Sequence, residues 1–234
     1  MTSATTAFKQ PFYWDNYRDT TVGRYLSQRE ITFISRVLID AASPPRRIAD
    51  LACGSGRITL PLSQAGLNII GTDLDPVALA SFQRQSQQVP LAQSNASDFP
   101  FTNESLDCLI AIQCLQYFDQ ARFFQEWQRV LAEGGLLIFS VVNRQSYKRA
   151  LNKLLGRYTD HDSNYKQSCQ ELLLTTMDYG FDIQAISGYN WLPFDRLSNS
   201  HLVGLAARIE QILRLDRLYR TSPWFLVAAQ KRNS

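Results

Sequence analysis

The sequence predicts an α/β fold in which a parallel sheet carries helices on both faces. Three observations carry that expectation. Short apolar runs alternate with amphipathic segments through the first two thirds of the chain, the order that yields parallel strands joined by helical crossovers. The stretch I-A-D-L-A-C-G-S-G-R-I, residues 48–58, puts two glycines between a strand and a helix. The composition, 45% hydrophobic and 19% charged over 234 residues, suits a globular chain that buries its own core.

Taken in order, Ser27-Gln-Arg-Glu30 has capping-box spacing before Ile31, Phe33, Ile34, Val37 and Leu38, which predicts a helix over 28–40, stopped by Pro44-Pro45. Arg47 to Leu51 reads as a buried strand, followed by the glycine turn and a helix ending at Gly66. Asn68 to Asp73 is a second strand, and Asp75-Pro76 opens the next helix with a side-chain acceptor and a first-turn proline. Strands follow near 91–94 and over 107–113. Asp119 caps a helix to about Leu131, and Glu133-Gly134-Gly135 turns into the strand Leu136 to Val142. Ser168-Cys-Gln-Glu171 is a second capping box, with Gly180 as the stop and a strand over 181–187. A helix near 199–215, whose Ile209, Ile212, Leu213 and Leu215 would cover the core sooner than form a dimer surface, and a strand over 225–229 complete the order.

Several classes are excluded. Basic residues number 24 against 21 acidic ones and are scattered, unlike a nucleic-acid-binding face. The longest apolar stretch, residues 136–142, is too short to span a bilayer, and the N-terminal residues lack the pattern of a signal peptide. The four cysteines contain no C-x-x-C and only His161 and His201 could join them, so no metal site is expected and the thiols read as free in the cytoplasm.

The glycine turn carries the chemistry. Gly54 and Gly56 let a ligand approach the backbone, and Asp73, at the carboxyl end of strand two, is placed to accept both hydroxyls of a ribose. A dinucleotide fingerprint would show a third glycine where Thr59 stands, and Asp50 at the turn would repel a pyrophosphate. Two acids around a cationic nucleoside describe S-adenosylmethionine better than NAD.

On these motifs the chain resembles the class I S-adenosylmethionine-dependent methyltransferases of small-molecule type. The resemblance implies a Rossmann-like, doubly wound sheet of seven mostly parallel strands with the last antiparallel. It covers Asp50 to Gly56, with Ala52 where a glycine often stands, the acid Asp73, S-N-A-S-D-F-P-F at 94–101, and R-V-L-A-E-G-G-L-L-I-F-S. It implies S-adenosyl-L-methionine as cofactor, held by Asp50, Ala52, Cys53, Gly54, Gly56 and Asp73, with Leu74 over the adenine. Asn95 stands where an aspartate usually meets the adenine amine, with Ala96 after it and Asp98 as the alternative acceptor. Gln113, with Cys114 and Leu115, would lie under the methionine part, and Gln116 stands where many relatives carry histidine.

Tyr13, Trp14 and Tyr17 either close over the cofactor as a lid or staple the first helix to the sheet. His161 is the candidate base, set against a solvated loop residue, and His201 reads as surface or helix-capping. Tyr189, Trp191, Pro193 and Phe194 would wall the substrate or pack the C-terminal segment. The expected organisation is 1–45 as N-terminal lid and helix, 46–143 as cofactor-binding core, and 144–234 as substrate-facing insertion plus closing strands of the same domain. Methyl transfer to an oxygen or nitrogen of a small molecule, a sugar or natural product, is the expected activity, with no membrane or nucleic-acid partner and a monomer or weak homodimer. The alternatives are an S-adenosylmethionine-binding regulator without catalysis and an NAD-dependent oxidoreductase.

Overall fold

The structure, a computed structural model, describes residues 17–96, 98–117, 119–156 and 167–233. Its strands are β1 (Ile48–Leu51), β2 (Ile69–Asp73), β3 (Leu91–Gln93), β4 (Leu106–Ala111), β5 (Leu131–Val142), β6 (Phe181–Tyr189) and β7 (Trp224–Lys231). They form one sheet in the order β3-β2-β1-β4-β5-β7-β6. Pairing from β3 through β5 is parallel, and β7 alone runs antiparallel, slotted between β5 and β6. The sheet therefore has the expected seven strands with the last one reversed.

The helices are α1 (Thr21–Asp40), α2 (Thr59–Gln64), α3 (Pro76–Gln85), α4 (Gln120–Val130), α5 (Tyr147–Leu154), α6 (Cys169–Asp178) and α7 (Val203–Ile212). Strand order reverses after β3, so right-handed crossovers put α2 and α3 on one face and α4 and α6 on the other. On the α4 face, Phe123, Phe124, Trp127, Phe139 and Phe181 are all fully buried, with Phe124 stacked on Tyr179 at 5.0 Å between ring centroids. Such aromatic pairs contribute beyond their buried area.

Caps behave as the local chemistry dictates. Asp75 accepts from Val77 N–H at 2.8 Å and Asp119 from Ala121 N–H at 3.0 Å. Ser168 and Glu171 complete their reciprocal box, and Gly180 stops the segment at φ +83°. Ser168→Ala should cost about 1 kcal/mol of stability, measurable by urea unfolding; an unchanged midpoint would show that the box is dispensable.

Three sequence expectations are corrected. The first helix begins at Thr21, not near 28: Thr20 is its N-cap, accepting from Gly23 N–H, while Ser27 lies inside and donates back to Gly23 O. The apolar stripe simply extends upstream through Val22 and Leu26. β5 already pairs at Leu131 with Leu106, and residues 132–135 bulge out before pairing resumes at Leu136. Lys231 pins this bulge, donating to Gln128 O and Leu131 O at 2.8 and 2.7 Å. Finally, α7 does not lay its apolar residues on the core: Ile209, Ile212 and Leu213 are 46%, 78% and 61% exposed, and Val203 and Glu210 are the buried positions. Glu210 takes the inward place because Tyr25 donates to its carboxylate. α5 and the short 3-10 turn Leu115–Tyr117 have no counterpart in the sequence reading.

Candidate active site

The carboxyl ends of β1, β2 and β4 open onto a cleft of about 200 Å³. Of the candidate residues, Asp50, Ala52, Cys53, Gly54, Asp73, Leu74 and Gln113 line it. Strand reversal between β1 and β4 creates this crevice, since the connections leave in opposite directions.

The turn after β1 is built from left-handed backbone at Ala52 (φ +53°), Gly54 (+57°) and Gly56 (+88°). Gly56 is obligatory on a second count: a Cβ there would lie 2.5 Å from the Phe82 ring of α3. Asp73 ties the turn to β2, accepting from Gly54 N–H at 2.8 Å and from Asp75 N–H at 2.9 Å. A carboxylate offers about four lone-pair directions, and with a third backbone bond from Leu74 N–H one is left. Burial raises the Asp73 pKa, while its backbone hydrogen bonds pull the other way.

Asp50 lies deeper, 2% exposed, and its carboxylate accepts from the Thr59 hydroxyl. Burial raises its pKa to about 7, eased by Thr59 and by Arg57, and reinforced by the charges of Asp73 and Glu30. Thr59, read in the sequence only as a missing glycine, is thus the partner of the deepest acid. Leu74 and Tyr117, each 56% exposed, give the cleft apolar rims.

Gln113 holds φ +58° and donates its backbone N–H to Ser140 Oγ at 2.9 Å. Its side-chain amide donates to Glu30, a fully buried carboxylate on α1. Glu30 also pairs with Arg57, which lines the cleft, and accepts from Tyr189 OH at 2.6 Å. Sequence reasoning missed Glu30. The signal was present: Leu26, Glu30, Ile34 and Leu38 fall at four-residue spacing, an acid on the buried stripe of a helix.

Other candidates lie elsewhere. Asn95 and Asp98 are exposed at the end of β3, joined through Asp98 N–H and Asn95 O, and do not line the cleft; Ala96 is buried in the core. Gln116 is buried and donates to Gln113 O at 2.8 Å. Tyr17 is fully buried within the core, under the Arg196 guanidinium at 5.5 Å, the position of a staple. Trp191 stacks on Tyr147 at 5.2 Å and Tyr189 is buried, which favours packing over a substrate wall. His201 is exposed in the turn before α7. Tyr13, Trp14 and His161 lie outside the described residues.

Residues 49–139 match the family model for a methyltransferase domain. Those residues carry a methyltransferase domain. A Mycobacterium tuberculosis protein named "probable S-adenosylmethionine-dependent methyltransferase" is 27% identical over 144 residues, 61% of this chain and 51% of that protein. A Mycobacterium bovis uncharacterized methyltransferase is 30% identical over 126 residues, 53% of this chain and 51% of its own length. The chain thus spans about half the length of these curated relatives. An S-adenosylmethionine-dependent methyltransferase of Methanosarcina mazei superposes with a TM-score of 0.60 at 19% identity, over 85% of this chain and 98% of that one. The geranyl diphosphate C-methyltransferase of Streptomyces coelicolor gives 0.61 at 19% identity, over 89% and 80%. At these identities the superpositions establish that the methyltransferase domain and its flanks share one fold. Among the described residues no helix is long and apolar enough to cross a membrane.

Proposed function

We propose that the protein transfers a methyl group from S-adenosylmethionine to an oxygen or nitrogen of a small molecule by in-line displacement. The observation that carries this reading is the placement of Asp50 and Asp73 around a turn whose backbone lies open to a ligand. The groups present fit that cofactor. Asp73 keeps acceptor capacity for a ribose hydroxyl, Leu74 offers an apolar wall for a flat ring, and the acids favour positive charge. A pyrophosphate would instead add negative charge beside Asp50, whose proton affinity Asp73 already raises.

When bound, S-adenosylmethionine supplies an activated methyl group on a positively charged sulfur. The chain's own task is then positioning: Asp73 orients the ribose, the turn from Ala52 to Gly56 lets the ligand sit against backbone, and the buried floor around Cys114 and Ile112 excludes water. In this reading residues 46–143 hold the cofactor and the segment from 144 onward faces the acceptor, with a sugar or natural product as the candidate class.

Calorimetry separates this from a nicotinamide-dependent enzyme. S-adenosylhomocysteine is expected to bind and NADH is not; the reverse overturns the proposal. Asp73→Ala should weaken S-adenosylhomocysteine at least about tenfold, because hydrogen bonds to a charged acceptor are worth about 1.5–3 kcal/mol each. Unchanged affinity would remove Asp73 from the ribose. Methylated product from a panel of hydroxyl and amine acceptors would separate an enzyme from a binding protein without catalysis.

A further inference from the structure

We propose that α7 and the turn after it dock on a lipid surface rich in anionic headgroups, with the exposed stripe of α7 set into the acyl boundary and the arginines beside it on the phosphates.

A helix at a water-facing surface turns its apolar residues inward and its charges outward. α7 does the reverse. Its inward positions are Val203 and Glu210, while Leu202, Leu205, Ile209, Ile212 and Leu213 are 46–78% exposed. Spacings of three and four residues place these five on one face of the helix, away from the buried carboxylate. Leu218, 53% exposed, adds a sixth aliphatic side chain in the 3-10 turn Leu215–Leu218 just beyond. α5 starts against this segment, with Tyr147 N–H donating to Thr221 O at 2.9 Å, and exposes Leu154 at 83% next to Lys153.

The charges around the stripe say what covers it. Arg208, Arg214 and Arg217 are exposed and hold no ion pair among the described residues. Neither acid of residues 199–222 offsets them at the surface: Glu210 is buried and accepts from Tyr25, and Asp216 is half-buried. A second copy of the chain would set these arginines against their own counterparts. An anionic bilayer meets both demands at once, with hydrocarbon for the stripe and phosphate for the guanidinium groups, whose stems lie along apolar surface. The ten residues of α7 span about 15 Å, too short to cross the hydrocarbon, so the helix lies in the plane of the interface. Such a helix needs no long apolar run, which is why a sequence read for spans led to no membrane partner.

Co-sedimentation of the full chain with vesicles tests this. Binding to phosphatidylglycerol vesicles is expected to be at least about tenfold tighter than to phosphatidylcholine vesicles, and to weaken as salt is added. Ile212→Asp, and separately Arg208→Glu with Arg217→Glu, should each weaken binding to phosphatidylglycerol about tenfold or more. Either variant decides where the other does not fold. Ile39→Asp, a change at an 80% exposed position on α1, is the control and should stay within about twofold. No binding to either vesicle, equal binding to both, or binding untouched by both α7 variants overturns the proposal. A dimer in sedimentation velocity that Ile212→Asp dissociates gives the face to a second copy and overturns it as well.

Discussion

Asp50→Asn is expected to raise the melting temperature at pH 8 and, at the same time, to weaken binding of S-adenosylmethionine. The carboxyl is almost wholly buried and its pKa rises from an ordinary 3.8 to about 7, chiefly because burial penalises the charged form. A folded-state pKa above the unfolded one means that the group's favourable contribution is complete below about pH 4 and is lost as pH rises through 7. A shift of that size corresponds to a penalty on the order of 4 kcal/mol at pH 8. Asparagine carries no charge to bury and still accepts from Thr59, although its new amide N–H groups give back about 1–3 kcal/mol. A net gain of about 1–3 kcal/mol moves the melting point of a chain this size by roughly 2–10 °C. Melts at pH 8 and pH 5 check it: the gain should appear at the first and shrink toward nothing at the second. A gain independent of pH would show that the penalty is not Asp50's ionisation.

The binding arm has the opposite sign. A cationic sulfonium draws the proton from Asp50, so wild-type affinity for S-adenosylmethionine should climb between pH 6 and 8 with proton release detectable by calorimetry in two buffers. Asp50→Asn should flatten that climb. A slope that survives the substitution would assign the titration to another group.

Gly56→Ala is expected to be the most damaging single change in the turn. The new methyl group would stand 2.5 to 2.7 Å from three atoms of the Phe82 ring, and the backbone is at φ +88°. Phe82 is fully buried with Cys53 and Val89, so the ring has nowhere to retreat. Overpacking costs about 1–3 kcal/mol and left-handed strain about 1 kcal/mol more. Gly66→Ala is the matched control, with φ +92° and nothing within 4 Å of the added carbon, so it bears the strain alone. Phe82→Leu in the Gly56→Ala background should recover part of the loss. Urea midpoints decide: if the two glycine variants are equally destabilised, the ring contact does not set the cost.

Much of this was legible in the chain. Alternating elements, the glycine turn and the acid ending β2 are local signals, and each reflects a bond or dihedral within a few residues. What escaped was tertiary. Ser27 and Glu30 satisfy capping-box spacing, yet Thr20 captures the helix start because Val22 and Leu26 extend the buried stripe. Glu30 is then free to serve as the acceptor of Arg57, Gln113 and Tyr189, three residues 27, 83 and 159 positions away. Left-handed backbone at Ala52 and Gln113 carries no glycine to announce it. The apolar residues of α7 have helical spacing whether or not a core lies beneath them, and the structure leaves them exposed.

The reversed strand has a consequence for biogenesis. β7 is synthesised after β6 and must insert between β5 and β6, two strands that have no pairing with each other. Until residues 224–231 leave the ribosome, β5 offers a long, greasy, unpaired margin, the kind of edge that recruits a neighbouring nascent chain. β7 is thus the strand that seals β5 and joins β6 to the sheet, and its loss would open both margins at once.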